Sequence, residues 1–142
     1  MKNILFVCTG NTCRSPMAMA VCKKLLKEKG ITDIEVLSAG IVSDGGKISD
    51  NSAKALSKIG IELNDYRSKQ LTMDMLNLAE KVFVMTNGHK NILLDAGVES
   101  GKVFILNDGV SDPFGCDYEV YEKCLYEIKC SVEALIEKGV IG

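Results

Sequence analysis

Residues 4–16 constrain this chain more than any other stretch. A short apolar run, Ile4-Leu5-Phe6-Val7, has the length and composition of a buried strand. It is followed by Cys8-Thr9-Gly10-Asn11-Thr12-Cys13-Arg14-Ser15, then by Pro16 and a long pattern of helical period. A strand therefore feeds a tight loop, and the loop opens a helix. Backbone N–H groups at a helix N-terminus lack intrahelical partners, and the helix dipole adds partial positive charge there. Such a junction is an anion site. Ser15 reads as the N-cap and Pro16 as the first helical residue. Gly10 reads as the loop position whose backbone shape a Cβ would resist.

A cysteine begins this loop and an arginine ends it. Taken alone, Cys8 reads as a small buried hydrophobe. In company with Arg14, Ser15 and Pro16 at fixed spacing it reads as a nucleophile. Thiols at helix N-termini beside cations ionise more readily than free ones. The arginine fork fits two oxygens of a phosphate. A thiolate beneath a phosphate cradle is aimed at phosphorus.

The run Val7–Pro16 resembles the low-molecular-weight protein tyrosine phosphatases. The resemblance covers nearly the whole chain and is strongest at residues 3–20, at Ser38-Ala39-Gly40 and at Asp112-Pro113-Phe114-Gly115. It implies a set of roles. Cys8 attacks phosphorus to form a phosphocysteine, and Arg14 holds the phosphoryl oxygens. Asp112 protonates the leaving atom and later takes a proton from water. Thr9, Gly10, Asn11, Thr12, Cys13 and Ser15 form the phosphate-binding loop, Phe114 walls the substrate side chain, and Ser38 supports the loop through Asn11. No metal or cofactor is required, because Arg14 and the loop amides meet the developing charge.

Two departures from the family pattern matter. Many members carry a histidine in the segment matching Leu63-Asn64-Asp65-Tyr66, where it contacts the loop asparagine. This chain has Asp65 there, so the support of Asn11 is expected to differ. The second departure is Thr12. Tyrosine-directed members usually carry an aliphatic residue at this position, whereas bacterial protein-arginine phosphatases resemble this chain in carrying threonine and an Asp-Pro-Phe-Gly run. The expectation is a protein phosphatase leaning to phosphoarginine, with phosphotyrosine as the alternative. Thiol-dependent arsenate reductases resemble it in the loop but need two further cysteines after the third strand, and residues 86–100 contain none. A non-catalytic phosphate or redox sensor is the remaining reading; a Cys8–Cys13 disulfide formed on oxidation is expected to protect or regulate the enzyme rather than replace catalysis.

Composition narrows the partners. A chain of 142 residues suits a single domain, 1–142. Its net charge of −2 and lack of a basic cluster argue against nucleic acid and anionic membranes. No apolar run approaches the ~18 residues of a membrane span. Met1-Lys2-Asn3 leads straight into a strand too short for a signal-peptide core. The expectation is a cytoplasmic enzyme acting on phosphorylated proteins and releasing inorganic phosphate. Six cysteines without a Cys-x-x-Cys, and a lone histidine, argue for reduced thiols and against zinc.

Periodicity along the rest of the chain predicts strands at 3–7, 34–38, 81–86 and 103–106. Helices are expected at 16–29, 51–59, 73–79, 88–95 and 117–138. This is an α/β architecture: a four-stranded parallel sheet flanked by helices on both faces, with the loop at the edge where open sheets bind ligands. Met17 is expected in the core and Met19 partly exposed. Val120, Cys124, Leu125, Ile128, Val132, Leu135 and Ile136 should form the inner face of the last helix. Cys22, Cys124 and Cys130 should be buried. Thr72 and Asn87 read as helix caps, Arg67 and Lys69 as solvated, and His89 as an exposed helix residue.

Overall fold

The computed structural model of the protein describes residues 1–63 and 65–142. Four strands, β1 (Lys2–Cys8), β2 (Ile34–Gly40), β3 (Lys81–Val84) and β4 (Val103–Ile105), form one parallel sheet in the order β2-β1-β3-β4. Five helices accompany it: α1 (Arg14–Glu28), α2 (Asp50–Lys58), α3 (Met73–Leu78), α4 (Asn87–Asp95) and α5 (Tyr118–Glu137). No described helix is long and apolar enough to cross a membrane.

The alternation of β1 explains the layering. Successive strand side chains point to opposite faces. Ile4, Phe6 and Cys8 join a cluster with residues of α1, α2 and α5. Leu5 and Val7 join a second cluster with Leu76 of α3 and Leu93 of α4. On the first face Phe6, Phe83 and Phe104 stack across three neighbouring strands, with ring centroids 5.4 and 5.5 Å apart. The expected two-faced parallel sheet is what forms.

The strand order places the site. From β1 the chain runs out to β2, then returns to the other side of β1 for β3. That reversal leaves a crevice beyond the carboxyl end of β1, the usual ligand position in open α/β sheets. Residues 9–13 occupy it.

Some details differ from expectation. Met19 is buried, because it packs inward against Ser38, whose hydroxyl lies 3.5 Å from its sulfur. Tyr121 takes the inward position that Val120 was expected to fill, and Val120 is exposed. Cys130 is exposed, on the outer side of α5. Thr86, not Asn87, caps α4, its hydroxyl accepting from the His89 N–H. Thr72 caps α3 as expected, and Arg67 and Lys69 are exposed.

Candidate active site

The loop departs from a simple capped helix. α1 begins at Arg14, with Cys13 as its N-cap and no side-chain cap bond. Ser15 is therefore inside the first turn, and Pro16 is the third helical residue rather than the first. A proline is tolerated there because first-turn N–H groups have no intrahelical acceptor. Freed from capping, the Ser15 hydroxyl lies 2.9 Å from Cys8 Sγ.

The strained position is Asn11, not Gly10. Asn11 has φ +58°, the left-handed region that asparagine enters more easily than most residues. A Cβ on Gly10 would meet only ordinary contacts, the nearest being Thr12 Oγ1 at 3.8 Å. The glycine that the loop does require is Gly40, at the end of β2. A Cβ there would fall 2.8 Å from Asn11 N and Gly10 C, and 2.9 Å from Thr9 O. The phosphate-loop backbone thus lies directly against β2, tied by Ile41 N–H to Cys8 O and Val42 N–H to Thr9 O.

Asn11 is fully buried and its amide is saturated. Its Nδ2 donates to Ser15 Oγ at 2.7 Å and to Ser38 Oγ at 3.0 Å. Its Oδ1 accepts from Tyr66 Oη at 2.5 Å and from the Lys69 N–H at 2.9 Å. Ser38 and Tyr66 hydroxyls are themselves 2.5 Å apart. Each hydroxyl has one proton. Tyr66 spends its own on Asn11 Oδ1, so Ser38 donates to Tyr66. Ser15 accepts from Asn11, so its proton can go to Cys8 Sγ at 2.9 Å or to Ala39 O at 3.5 Å, and the sulfur is the nearer. The expected Ser38–Asn11 contact is therefore present. The support expected to change at Asp65 comes instead from Tyr66. Asp65 is exposed, and Asn64 lies outside the described residues. Burial raises the Tyr66 phenol above its ordinary value, keeping it a protonated donor.

Arg14 is 3% exposed. Its Nη1 donates to Val110 O at 2.9 Å, and its Nη2 lies 3.5 Å from Asp112 Oδ2 and 3.4 Å from Thr9 Oγ1. Val110 is anchored in turn by its N–H to Met85 O at the end of β3, 2.7 Å. The acid-bearing loop is thereby hung on the sheet next to β1. Asp112 Oδ1 accepts from the Phe114 N–H at 3.1 Å, a tight turn closed by the side chain. Pro113 follows Asp112 and offers no competing N–H.

These elements enclose a cavity of about 220 Å³ lined by Cys8, Thr9, Gly10, Thr12, Cys13, Arg14, Asp112 and Phe114. Phe114 stands 74% exposed at its mouth. Cys13 faces the α2–α5 side as well, with its sulfur 3.5 Å from Ser49 Oγ and 3.8 Å from Tyr121 Oη. A larger groove, about 570 Å³, lies on the far side of Tyr66 between Met19, Lys23 and Arg67. Among the described residues its lining holds no cysteine.

Cys8, Arg14 and Asp112 come from a strand end, a helix start and a distant loop, and they converge on one phosphate-sized space. The pattern of the family described as "Low molecular weight phosphotyrosine protein phosphatase" matches residues 3–140. The chain belongs to that family. It is accordingly a cysteine-dependent protein phosphatase, a hydrolase. A "Protein-arginine-phosphatase" of Geobacillus stearothermophilus is 40% identical over 144 residues, covering 95% of this chain and 94% of that protein. "Arsenate reductase 1" of Bacillus cereus is 34% identical over 138 residues, covering 97% and 96%. Among solved structures, a YwlE arginine phosphatase in which serine replaces the active-site cysteine and carries a phosphoryl group superposes with a TM-score of 0.90. It is 34% identical and covers 96% of this chain and 94% of that one.

Sequence reasoning missed two residues of this site. Tyr66 takes over the support of Asn11, and His89 is buried rather than exposed, its Nε2 2.9 Å from Thr9 Oγ1. The signals available were a phenol within a polar stretch and a histidine just beyond the third strand.

Proposed function

We propose that this protein hydrolyses phosphoarginine on proteins, through a phosphocysteine at Cys8. The observation that carries the proposal is the convergence of Cys8, Arg14 and Asp112 around the cavity, with Thr12 on its wall. In the first step Cys8 Sγ attacks phosphorus in line. An S–P bond forms and the P–N bond breaks. The departing guanidino nitrogen takes a proton from Asp112. Arg14 and the loop N–H groups hold the equatorial oxygens as charge redistributes. In the second step water attacks phosphorus, Asp112 accepts its proton, and the S–P bond breaks to release inorganic phosphate. The Ser15 hydroxyl, turned toward Cys8 Sγ by its bond from Asn11, supports the sulfur when it leaves.

Several observations support these assignments. The YwlE variant carries its phosphoryl group on the residue that replaces the active-site cysteine, matching the role given to Cys8. Thr12 presents a small polar wall where an aliphatic side chain would favour an aromatic ring. Asp112 is half-exposed at the mouth, placed to protonate the leaving guanidino nitrogen and then, as a carboxylate, to pair with the guanidinium product. The similar Geobacillus phosphatase acts, by its name, on phosphoarginine. The arsenate reductase reading lacks its chemistry, since residues 86–100 offer no second and third thiol. Phosphorylated proteins of the cytoplasm are the proposed partners.

Hydrolysis of matched phosphoarginine and phosphotyrosine peptides under reducing conditions tests the reading. The expected result is preference for phosphoarginine in the wild type and a shift toward phosphotyrosine in Thr12→Ile. Preference for phosphotyrosine in both proteins would overturn the substrate assignment. The exposed Phe114 ring would then be the feature that selects an aromatic side chain.

A further inference from the structure

His89 is the chain's one histidine, and it is buried at the start of α4. Its Nε2 lies 2.9 Å from Thr9 Oγ1, on the residue that directly follows Cys8. Its Nδ1 is buried and has no partner among the described residues. Thr9 Oγ1 also faces Arg14 Nη2 at 3.4 Å. A guanidinium only donates, so the Thr9 oxygen accepts from Arg14.

The tautomer follows from the orphaned nitrogen. With the proton on Nδ1, a buried N–H would be stranded, a rarer arrangement than a bare acceptor. With the proton on Nε2, that N–H donates to Thr9 and Nδ1 keeps only a bare lone pair. A doubly protonated ring would strand a donor and set a second cation near Arg14. Burial and Arg14, partly opposed by Asp112, hold this imidazole below its ordinary range, which agrees with the neutral form. Thr9 then accepts two hydrogen bonds, from Arg14 and from His89. Its own proton has neither neighbour left to donate to, and the residue lines the cavity.

We propose that His89 is a positioning residue of the phosphate loop: by donating Nε2–H to Thr9 Oγ1 it turns the Thr9 hydroxyl proton into the cavity, as a donor to the bound phosphoryl group. The proposal rests on the phosphatase reading of that cavity. Thr9 touches the phosphoryl group, and His89 acts through Thr9.

Calorimetric titration with inorganic phosphate tests the proposal without requiring turnover. His89→Leu removes the donor at similar bulk and is expected to weaken phosphate binding roughly three- to tenfold, the size of one net hydrogen bond. Thr9→Val should weaken it by the same factor. The double variant should bind no more weakly than Thr9→Val alone, because His89 then has nothing to position. His89→Gln, whose amide N–H can reach Thr9 without titrating, should restore most of the affinity. Additive losses in the double variant would overturn the proposal, as would a Gln variant as weak as the Leu variant. Should His89→Leu fail to fold, unchanged phosphate affinity in Thr9→Val would overturn it equally. Hydrolysis of para-nitrophenyl phosphate by the wild type separates the two readings: phosphate binding without turnover counts against the catalytic assignment alone.

Discussion

At Asn11 one side chain holds a strained backbone and sets the Ser15 hydroxyl that faces Cys8 Sγ. Its left-handed φ is a conformation that few residues with a Cβ adopt, and its four hydrogen bonds keep it there. The phenol of Tyr66 is the side-chain contact that comes from farthest along the chain. Tyr66→Phe deletes the donor to Asn11 Oδ1 and takes from Ser38 its oxygen acceptor, leaving it only the weaker Met19 sulfur. We expect a stability loss of about 1–3 kcal/mol, the range for two hydrogen bonds, together with a lower kcat. Urea denaturation and steady-state kinetics measure both, and a variant unchanged in both would show that Asn11 needs no support from this side. Asp112 is tested at the same scale by its leaving groups. Asp112→Asn should slow poor leaving groups far more than activated aryl phosphates, because only the former need a proton in the transition state. Equal slowing of the two classes would remove the acid role and leave Asp112 as a partner of Arg14.

At the scale of elements, the close approach of β2 to the phosphate loop is what Gly40 permits. Gly40→Ala drives a methyl into the backbone of residues 9–11, where nothing flexible can give way. The expected cost is about 1–3 kcal/mol of stability, the usual range for overpacking, with a larger proportional loss of activity than of folded protein. Thermal melts beside kcat would check it, and a fully active, equally stable variant would contradict the packing. The strands that create this approach were legible because a short, unbroken apolar run such as Ile4-Leu5-Phe6-Val7 is a local signal of a strand covered on both faces. The loop's own division of labour was less legible. Ser15 and Gly10 carry the residue types of a cap and a turn, and local statistics assign them those roles. The actual cap is Cys13 and the actual left-handed residue is Asn11, because the network around Asn11 and Ser15 outweighs propensity. Tyr66 and His89 were missed for a different reason. They meet the loop across 55 and 80 residues of sequence, and no periodicity records which side chain of a distant segment arrives there.

The whole molecule buries its one histidine beside Thr9 in the candidate active site, and that placement makes stability depend on pH. Arg14 on α1 and Asp112 on the loop before α5 are the charged groups that face it, and burial with Arg14 outweighs Asp112. Its folded pKa is therefore below its unfolded value of about 6.5. The unfolded chain binds this proton more readily than the folded one, so stability rises with pH through the window between the two values. The contribution is fully present above about 6.5 and is lost as pH falls through the lowered folded value. Most carboxylates titrate near 4, so the window belongs mainly to His89. Urea midpoints measured from pH 7.5 down to 5.5 should fall in the wild type and stay flatter in His89→Gln, which cannot take up the proton. Parallel curves for the two proteins would mean that His89 is protonated as easily in the fold as out of it. The neutral, Nε2–H form that lets it hold Thr9 would then give way to the cation in the ordinary imidazole range, just below neutral pH, with no protection from the fold.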